Sequence, residues 1–308
     1  MSGYNLRTFK PSKYYSTYSA SHPSAFEVVP GETFCVETAD AYRGKIQSEE
    51  DTPTLDRIPF ENANPQSGPI YVKGAEKGDT LSVEIVDIVI KAKQGATTIV
   101  PDMGGLTRTN ITRLLNEPLP PRAKICPITN GLIHFSDTIH IPVEPMIGTI
   151  GVAPEFEAIS SLTPGPHGGN MDCPDVCPGN KVMFPVYVKG AFLFLGDVHA
   201  VQGDGEISGS AIEVPAECVL KVDIVKKRIN WPRIESKDYI MTVGSARPLE
   251  DALRIAMVEL IEWLVDEYNF NKFDAYQLCS QVAKIRVAQM VDPLYTMVAK
   301  FPKKYLRK

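Results

Sequence analysis

Two stretches of this chain hold a large share of the side chains that bind metals or move protons. The first is Pro164-Gly165-Pro166-His167-Gly168-Gly169-Asn170-Met171-Asp172. The second is Gly196-Asp197-Val198-His199-Ala200-Val201-Gln202-Gly203-Asp204-Gly205-Glu206, closing near Glu213. Only five histidines occur in the whole chain, and two of them fall here with carboxylates alongside. Asp197 and His199 are two apart, so on a strand both side chains leave one face. An imidazole and a carboxylate converging from one face begin a zinc or similar metal site. Asp204 and Glu206 repeat that spacing, with Gly203 and Gly205 allowing tight turns around them. They give a second carboxylate pair for coordination or proton transfer. His167 precedes two glycines and Asn170. Such a loop lets backbone N–H groups come close to a substrate and donate to a developing oxyanion. The plainer alternative is a pair of polar turns, with His199 hydrogen-bonded in place and His167 on the surface. Spacing alone does not separate the two readings.

Other candidates are weaker. Cys173 and Cys177 lie near His167, but their spacing is not that of a Cys-x2-Cys zinc knuckle, and no second pair follows. No dedicated base marks either as a nucleophile. Pro69 to Asp79 carries glycines without the Gly-Lys-Ser/Thr ending of a phosphate loop, so it reads as a strand and turn. His134 and His140 fall in a strand-like stretch and read as structural.

The elements that must position these residues are mainly strands. The 25 prolines and 22 glycines punctuate short apolar segments. Phe34 to Thr38 follows a Pro30-Gly31 turn, Leu81 to Ile88 follows Gly78-Asp79, and Val219 to Val225 has the same look. Alternation with period two is what a half-buried strand requires. Pro69-Ile70-Tyr71-Val72-Lys73-Gly74-Ala75 returns 116 residues later as Pro185-Val186-Tyr187-Val188-Lys189-Gly190-Ala191, matching at six of seven positions. That offset is too long for a solenoid and suggests two related β-units, about 20–155 and 156–245. After them the period changes. Leu253, Met257, Leu260, Ile261 and Leu264 share one face of a helix over Leu249 to Tyr268, with Pro248 just before it. A second helix is expected over about Ala275 to Met290, then a strand from Tyr295 to Phe301 and a solvated basic tail, Lys303 to Lys308. The expected fold is a single α+β domain over 1–308, mainly β. Its two related β-units form a sandwich or barrel-like core that carries a C-terminal helical hairpin.

The 308 residues suffice for a large core, and 44% hydrophobic with 22% charged residues is ordinary globular composition. A formal net charge of −5 argues against nucleic acid or a membrane surface as partner. No apolar run approaches the roughly 20 residues of a membrane helix. The polar, tyrosine-rich first 18 residues lack the apolar core of a secretory signal. The expected location is therefore cytoplasmic, with the six cysteines as reduced thiols. A homodimer is the expected assembly, since dimers are the commonest oligomers.

From about His22 to Phe301 the sequence resembles the acetamidase/formamidase family. The resemblance runs through Val29-Pro30-Gly31, Glu37-Thr38-Ala39-Asp40, Gly68 to Ala75 with Gly78-Asp79, and Glu144-Pro145-Met146-Ile147-Gly148. It is most specific at His167 to Asp172 and from Gly196 through Glu206 to Ala211-Ile212-Glu213. Cys173 to Pro178, Lys284 and the first seventeen residues depart from the family pattern, which bears on substrate choice more than on fold. The resemblance implies a β-rich, often oligomeric hydrolase of short aliphatic amides with a divalent metal, zinc being expected and calcium the alternative.

On that footing the expected reaction is amide hydrolysis by metal-activated water. Asp197 and His199 are the first-choice ligands, Asp172 and Glu213 the next, and His22 and Asp40 further candidates. Glu206, or Asp204, would carry the proton to the departing ammonia. The loop with His167, Gly168, Gly169 and Asn170 would steady the oxyanion. Two alternatives stand beside this: a hydrolase of larger amides or related C–N bonds on the same scaffold, and a β-domain that binds a small polar ligand without turnover.

Overall fold

The computed structural model describes residues 6–54, 56–107 and 119–306. The last two residues of the expected basic tail lie outside this range. Two large sheets make up the body. In the first, the strand order is Thr8–Phe9, Thr33–Thr38, Ala216–Val225, Thr80–Val89, Lys181–Pro185, Arg233–Glu235, Tyr239–Ala246, Tyr295–Pro302 and Lys284–Gln289. In the second, the order is His140–Pro142, Leu132–His134, Arg122–Thr129, Gln94–Ile99, Glu213–Val214, Leu193–His199, Met146–Val152 and Gly168–Asn170. Ser67–Val72 also pairs with Leu193–His199 and carries Phe26–Val28 on its other edge.

The alternation in the sequence explains the layering. Val36, Ile85, Leu220 and Val243 of the first sheet join Ile70, Ile147, Leu195 and Val198 of the second in one buried core. Each such side chain is worth about 1.5–3 kcal/mol when fully removed from water. The result is a mainly β fold with two α-helices among the described residues. The sheets do not close into a barrel, so of the two core shapes expected from sequence only the open, layered one is found.

The two copies of the repeated heptapeptide lie side by side. The Val72 N–H donates to Gly190 O at 3.0 Å, the Gly190 N–H to Ala75 O at 2.8 Å, and the Gly78 N–H to Val186 O at 2.9 Å. After that contact the copies diverge. Asp79 sits in a turn, accepting from the Glu76 N–H and from Lys226, whereas Asp197 lies in a buried strand.

Helix α1, Leu249–Tyr268, is where its period placed it, and Asn269 ends it in the left-handed region at φ 55°. Its buried face is carried by Ala252, Ala256, Leu260, Ile261, Trp263 and Leu264. Leu253 and Met257, expected on that face, are only partly buried. Thr242 Oγ1 donates to Ala256 O at 2.6 Å, tying the helix to the first sheet.

Helix α2 departs from expectation. It spans Lys272–Val282, begun by Asn271, whose side chain accepts from the N–H groups of Phe273 and Asp274. Ala283 is extended, and Lys284–Gln289 is a strand paired antiparallel with Tyr295–Pro302. The physical reason is legible afterwards. Ile285 and Val287 are β-branched and alternate with Lys284 and Arg286, a strand pattern that a neighbouring strand was available to pair.

Candidate active site

The site forms where three strands of the second sheet meet. Leu193–His199 runs between Met146–Val152 and Glu213–Val214. His199 stands directly opposite Glu213 in the ladder, which brings their side chains together. Asp172 follows Gly168–Asn170, the strand on the far side of Met146–Val152. Side chains from either side can meet across that strand because Gly148 has none. A Cβ there would fall 2.5 Å from Asp172 Oδ1 and 2.8 Å from His199 Cε1. Glu206 arrives from a loop pinned to the strand Lys284–Gln289, with the Gly205 N–H donating to Val287 O at 2.8 Å and the Met290 N–H to Gly205 O at 3.1 Å. Asp172, Asp197 and Glu206 all have positive φ, at 41°, 56° and 47°. Such conformations cost about 1–3 kcal/mol each for residues other than glycine and gather at functional sites.

His199 Nε2 lies 3.2 Å from Glu213 Oε2, 3.5 Å from Asp197 Oδ1 and 4.0 Å from Asp172 Oδ1. All four residues are buried. Glu206 joins His199 and Glu213 in a group whose donor atoms lie within 4.8 Å of one another. His199 Nε2, Asp172 Oδ1 and Glu213 Oε2 have no hydrogen-bond partner although each is buried. Buried polar atoms are rarely left in that state. The remaining atoms of the same residues are well satisfied. Asp197 Oδ2 accepts from Asn64 Nδ2 at 2.8 Å and Thr149 Oγ1 at 3.0 Å. Glu213 Oε1 accepts from the Ala211 N–H at 2.9 Å. His199 Nδ1 contacts Gln202 Oε1 at 2.8 Å. The Gln202 amide nitrogen donates to Asp172 O and Ala288 O, at 2.7 and 3.0 Å, so its oxygen must face the imidazole.

The electrostatics follow from crowding acids away from water. Burial pushes Asp172 and Glu206 well above the ordinary carboxylate range, with Asp292 beside the first and Asp172 beside the second adding to the effect. Burial pushes Glu213 up to about 7. Burial would lower His199, but Glu213 and Asp197 outweigh it and hold the imidazole well above its usual value. Burial also raises Asp197, and His199 reverses that, leaving it below the ordinary value. Four buried carboxyls beside one imidazole cannot all ionise without a counter-charge, so protons are retained among them, and a cation would take the place of those protons. The unpartnered nitrogen and oxygens fit a divalent metal ion in donor type. This buried Asp/His/Glu cluster could therefore hold one.

Five expected residues thus come together: Asp172, Asp197, His199, Glu206 and Glu213. Others fall elsewhere. Asp204 is exposed and paired with Arg286 at 3.0 Å, because the tight turn that buries Glu206 points its neighbour outward. His22 stacks on Tyr15 at 4.0 Å and contacts Thr17 Oγ1 at 2.8 Å. Asp40 caps a turn, accepting from the N–H groups of Tyr42 and Gly44. His167 is buried against the edge of Tyr18, outside the cluster, with both ring nitrogens unpartnered. The expected oxyanion loop is a buried strand whose Gly168 N–H is taken by Gly165 O at 3.0 Å. The Asn170 amide nitrogen is likewise occupied, donating to Asp292 Oδ2 at 2.8 Å.

Sequence reasoning missed four contributors: Asn64, Thr149, Gln202 and Asp292. Gln202 was within reach, three residues after His199. Asp292 was hidden by the helix expected to run to Met290.

A cavity of about 100 Å³ opens onto the cluster. Asp197, Glu206, Glu213 and Asp292 form its acidic wall, and Ile58, Val100, Met103 and Leu162 are among the apolar residues facing it.

Comparison with known proteins agrees with this geometry. The chain matches the model of the acetamidase/formamidase family over residues 10–163 and 155–305. It is similar to the solved structure of an acetamidase from Yersinia enterocolitica, with 41% identity, a TM-score of 0.93, and 99% of this chain and 95% of that one covered. It is 28% identical to an acetamidase from Mycolicibacterium smegmatis over 74% of this chain and 69% of the relative. It is 26% identical to a formamidase from Methylophilus methylotrophus over 66% and 62%. The matched region thus spans about two thirds of the length of these curated relatives. No helix of the described residues is long and apolar enough to cross a membrane. By motif, fold and the cluster around His199, the chain belongs to the acetamidase/formamidase family.

Proposed function

We propose that the chain hydrolyses the C–N bond of short aliphatic amides, formamide and acetamide among them, to the acid and ammonia. The observation that carries this is the set of unpartnered donors at His199, Asp172 and Glu213, in a cluster that meets a cavity of about 100 Å³ through Asp197, Glu206 and Glu213. An apolar cavity of about 150 Å³ accepts benzene, with six heavy atoms. The smaller space here suits three or four. The relatives named acetamidase and formamidase support the same reading.

Asp172, Asp197, His199 and Glu213 would hold a divalent ion. Zinc is favoured over calcium because an imidazole nitrogen is among the donors and calcium prefers oxygen alone. Such an ion supplies Lewis acidity, which activates water and polarises a carbonyl at neutral pH. Asn64 and Thr149 fix the Asp197 carboxylate, and Gln202 fixes the His199 ring. Amide nitrogen leaves poorly unless it is protonated. Glu206 faces the cavity, and burial holds its proton well above the ordinary range, so it can deliver that proton to the departing nitrogen.

The test is ammonia release from formamide and acetamide by purified protein, with metal content measured on the same sample. Activity should vanish on chelation and return with zinc. Full turnover by metal-free protein would overturn the metal assignment, and absence of ammonia from every short amide would overturn the reaction.

A further inference from the structure

The cavity is rich in hydrogen-bond acceptors and poor in free donors. Among the described residues lining it there is no lysine, arginine or histidine, while four carboxyl groups reach it. The two amide side chains present are engaged elsewhere. Asn64 Nδ2 donates to Asp197 Oδ2 and to Asn170 Oδ1, at 2.8 and 3.0 Å, and Asn170 Nδ2 donates to Asp292 Oδ2. Of the four carboxyls, Asp197 and Glu213 belong to the cluster around His199, and Glu206 carries the proton. Asp292 is assigned to neither task, although its carboxyl stands beside that of Asp172.

Asp292 is also held firmly. It sits in the turn between Lys284–Gln289 and Tyr295–Pro302. The buried Gln289 organises that turn, its Oε1 accepting from the N–H groups of Val291 and Asp292, at 2.9 and 3.1 Å. Its amide nitrogen donates to Leu294 O at 2.7 Å and Thr296 Oγ1 at 3.1 Å. Arg247 adds a bond to Asp292 O at 2.8 Å. A turn built this tightly fixes where the carboxyl points.

We infer that Asp292 is a specificity-determining residue, accepting a hydrogen bond from the –NH2 group of the amide. A primary amide brings two N–H donors to a cavity with acceptors to spare. A ketone or ester of the same size brings none and leaves Asp292 with only its protein partner Asn170, a mismatch of the kind that discriminates between analogues. The inference rests on the amide-hydrolase reading above, and its test separates the two.

Acetamide and acetone have the same shape and heavy-atom count and differ in the –NH2 group. Binding of each is measured by ligand-observed NMR to the metal-loaded protein and to its Asp292→Asn variant, with ammonia release followed in parallel. Asn170 Nδ2 would keep the new side-chain oxygen, so the variant turns a nitrogen donor where an acceptor stood. The expected result is a clear preference of the wild type for acetamide and a loss of that preference by about tenfold or more in Asp292→Asn. KM for acetamide should rise by a similar factor, with acetone affinity little changed. Asp292→Ser, which keeps a small acceptor, should fall in between. Equal weakening of both probes, an unchanged preference, or no preference in the wild type overturns the inference. Failure of the amide-hydrolase reading shows separately, as absence of ammonia from wild-type protein that still binds acetamide selectively.

Discussion

His199 and His167 are the two most buried histidines in the protein, at 1% and 2% exposure, and their surroundings could hardly differ more. His199 faces three carboxyls across 3.2–4.0 Å and has its other nitrogen fixed by Gln202. His167 packs against Tyr18 with ring centroids 5.0 Å apart. Its nitrogens look toward glycines: a Cβ on Gly165 or Gly169 would fall 3.2 or 2.9 Å from them. Gly165 and Gly169, on either side of His167, therefore make room for the ring, where the glycines after it suggested a backbone opened to substrate. The same residue type is driven up in one pocket by carboxylates and down to about 4 in the other by burial alone. Charge in the neighbourhood, more than burial or adjacent motif, distinguishes the chemical histidine from the packing one.

That contrast can be broken most directly by truncating each ring. His199→Ala should lose ammonia release by at least about a hundredfold, together with its bound metal, while remaining folded. His167→Leu should keep its metal and turn over within about threefold of wild type. Equal losses in the two variants would end the distinction.

A second measurement sharpens the same contrast through acid stability. Between pH 6.5 and about 4 the unfolded chain binds a proton at His167 that the folded protein refuses. The stability associated with the neutral ring is therefore complete above pH 6.5 and is lost as pH falls toward 4. The loss should reach about 3 kcal/mol. Melting midpoints from pH 7 to 4.5 should fall faster for wild type than for His167→Leu. Parallel curves would show that the ring is not held neutral by burial.

The smallest effect is expected at Asp204, which shared a motif with Glu206 and does not share its environment. Asp204→Asn should change turnover by less than about twofold and stability by less than about 1 kcal/mol, since it removes an exposed ion pair. A large loss of ammonia release would return Asp204 to the reaction.

These cases show where sequence is informative. The pairing of Asp197 with His199 was legible because a two-residue spacing is local, although the strand that carries them is buried throughout and shows no alternation. Asp172, Glu206 and Glu213 were legible as types gathered near that strand, and the family resemblance reinforced them. Whether Asp204 or Glu206 turns inward was not, because the turn is set by Gly205 bonding to Val287 and Met290, more than 80 residues on. Asp292 was lost for a related reason. Lys284–Gln289 declares itself a strand only when Tyr295–Pro302 is beside it, and a helix was the natural local reading. Asn64 and Thr149 act by holding Asp197 from distant segments, which no spacing announces.

The pinning of the Glu206 loop to Lys284–Gln289 also orders the assembly of the site. Gly205 is bonded to Val287 and Met290, Gln202 to Ala288, and Asp292 lines the cavity. A chain folded only as far as the end of α2 would have Asn64 and Thr149 to hold Asp197, but would lack Asp292 and the backbone groups that Gly205 and Gln202 bond to. The site is therefore framed only once the hairpin of Lys284–Gln289 and Tyr295–Pro302 has joined the sheet, so the reactive centre waits on contacts between segments far apart in the sequence.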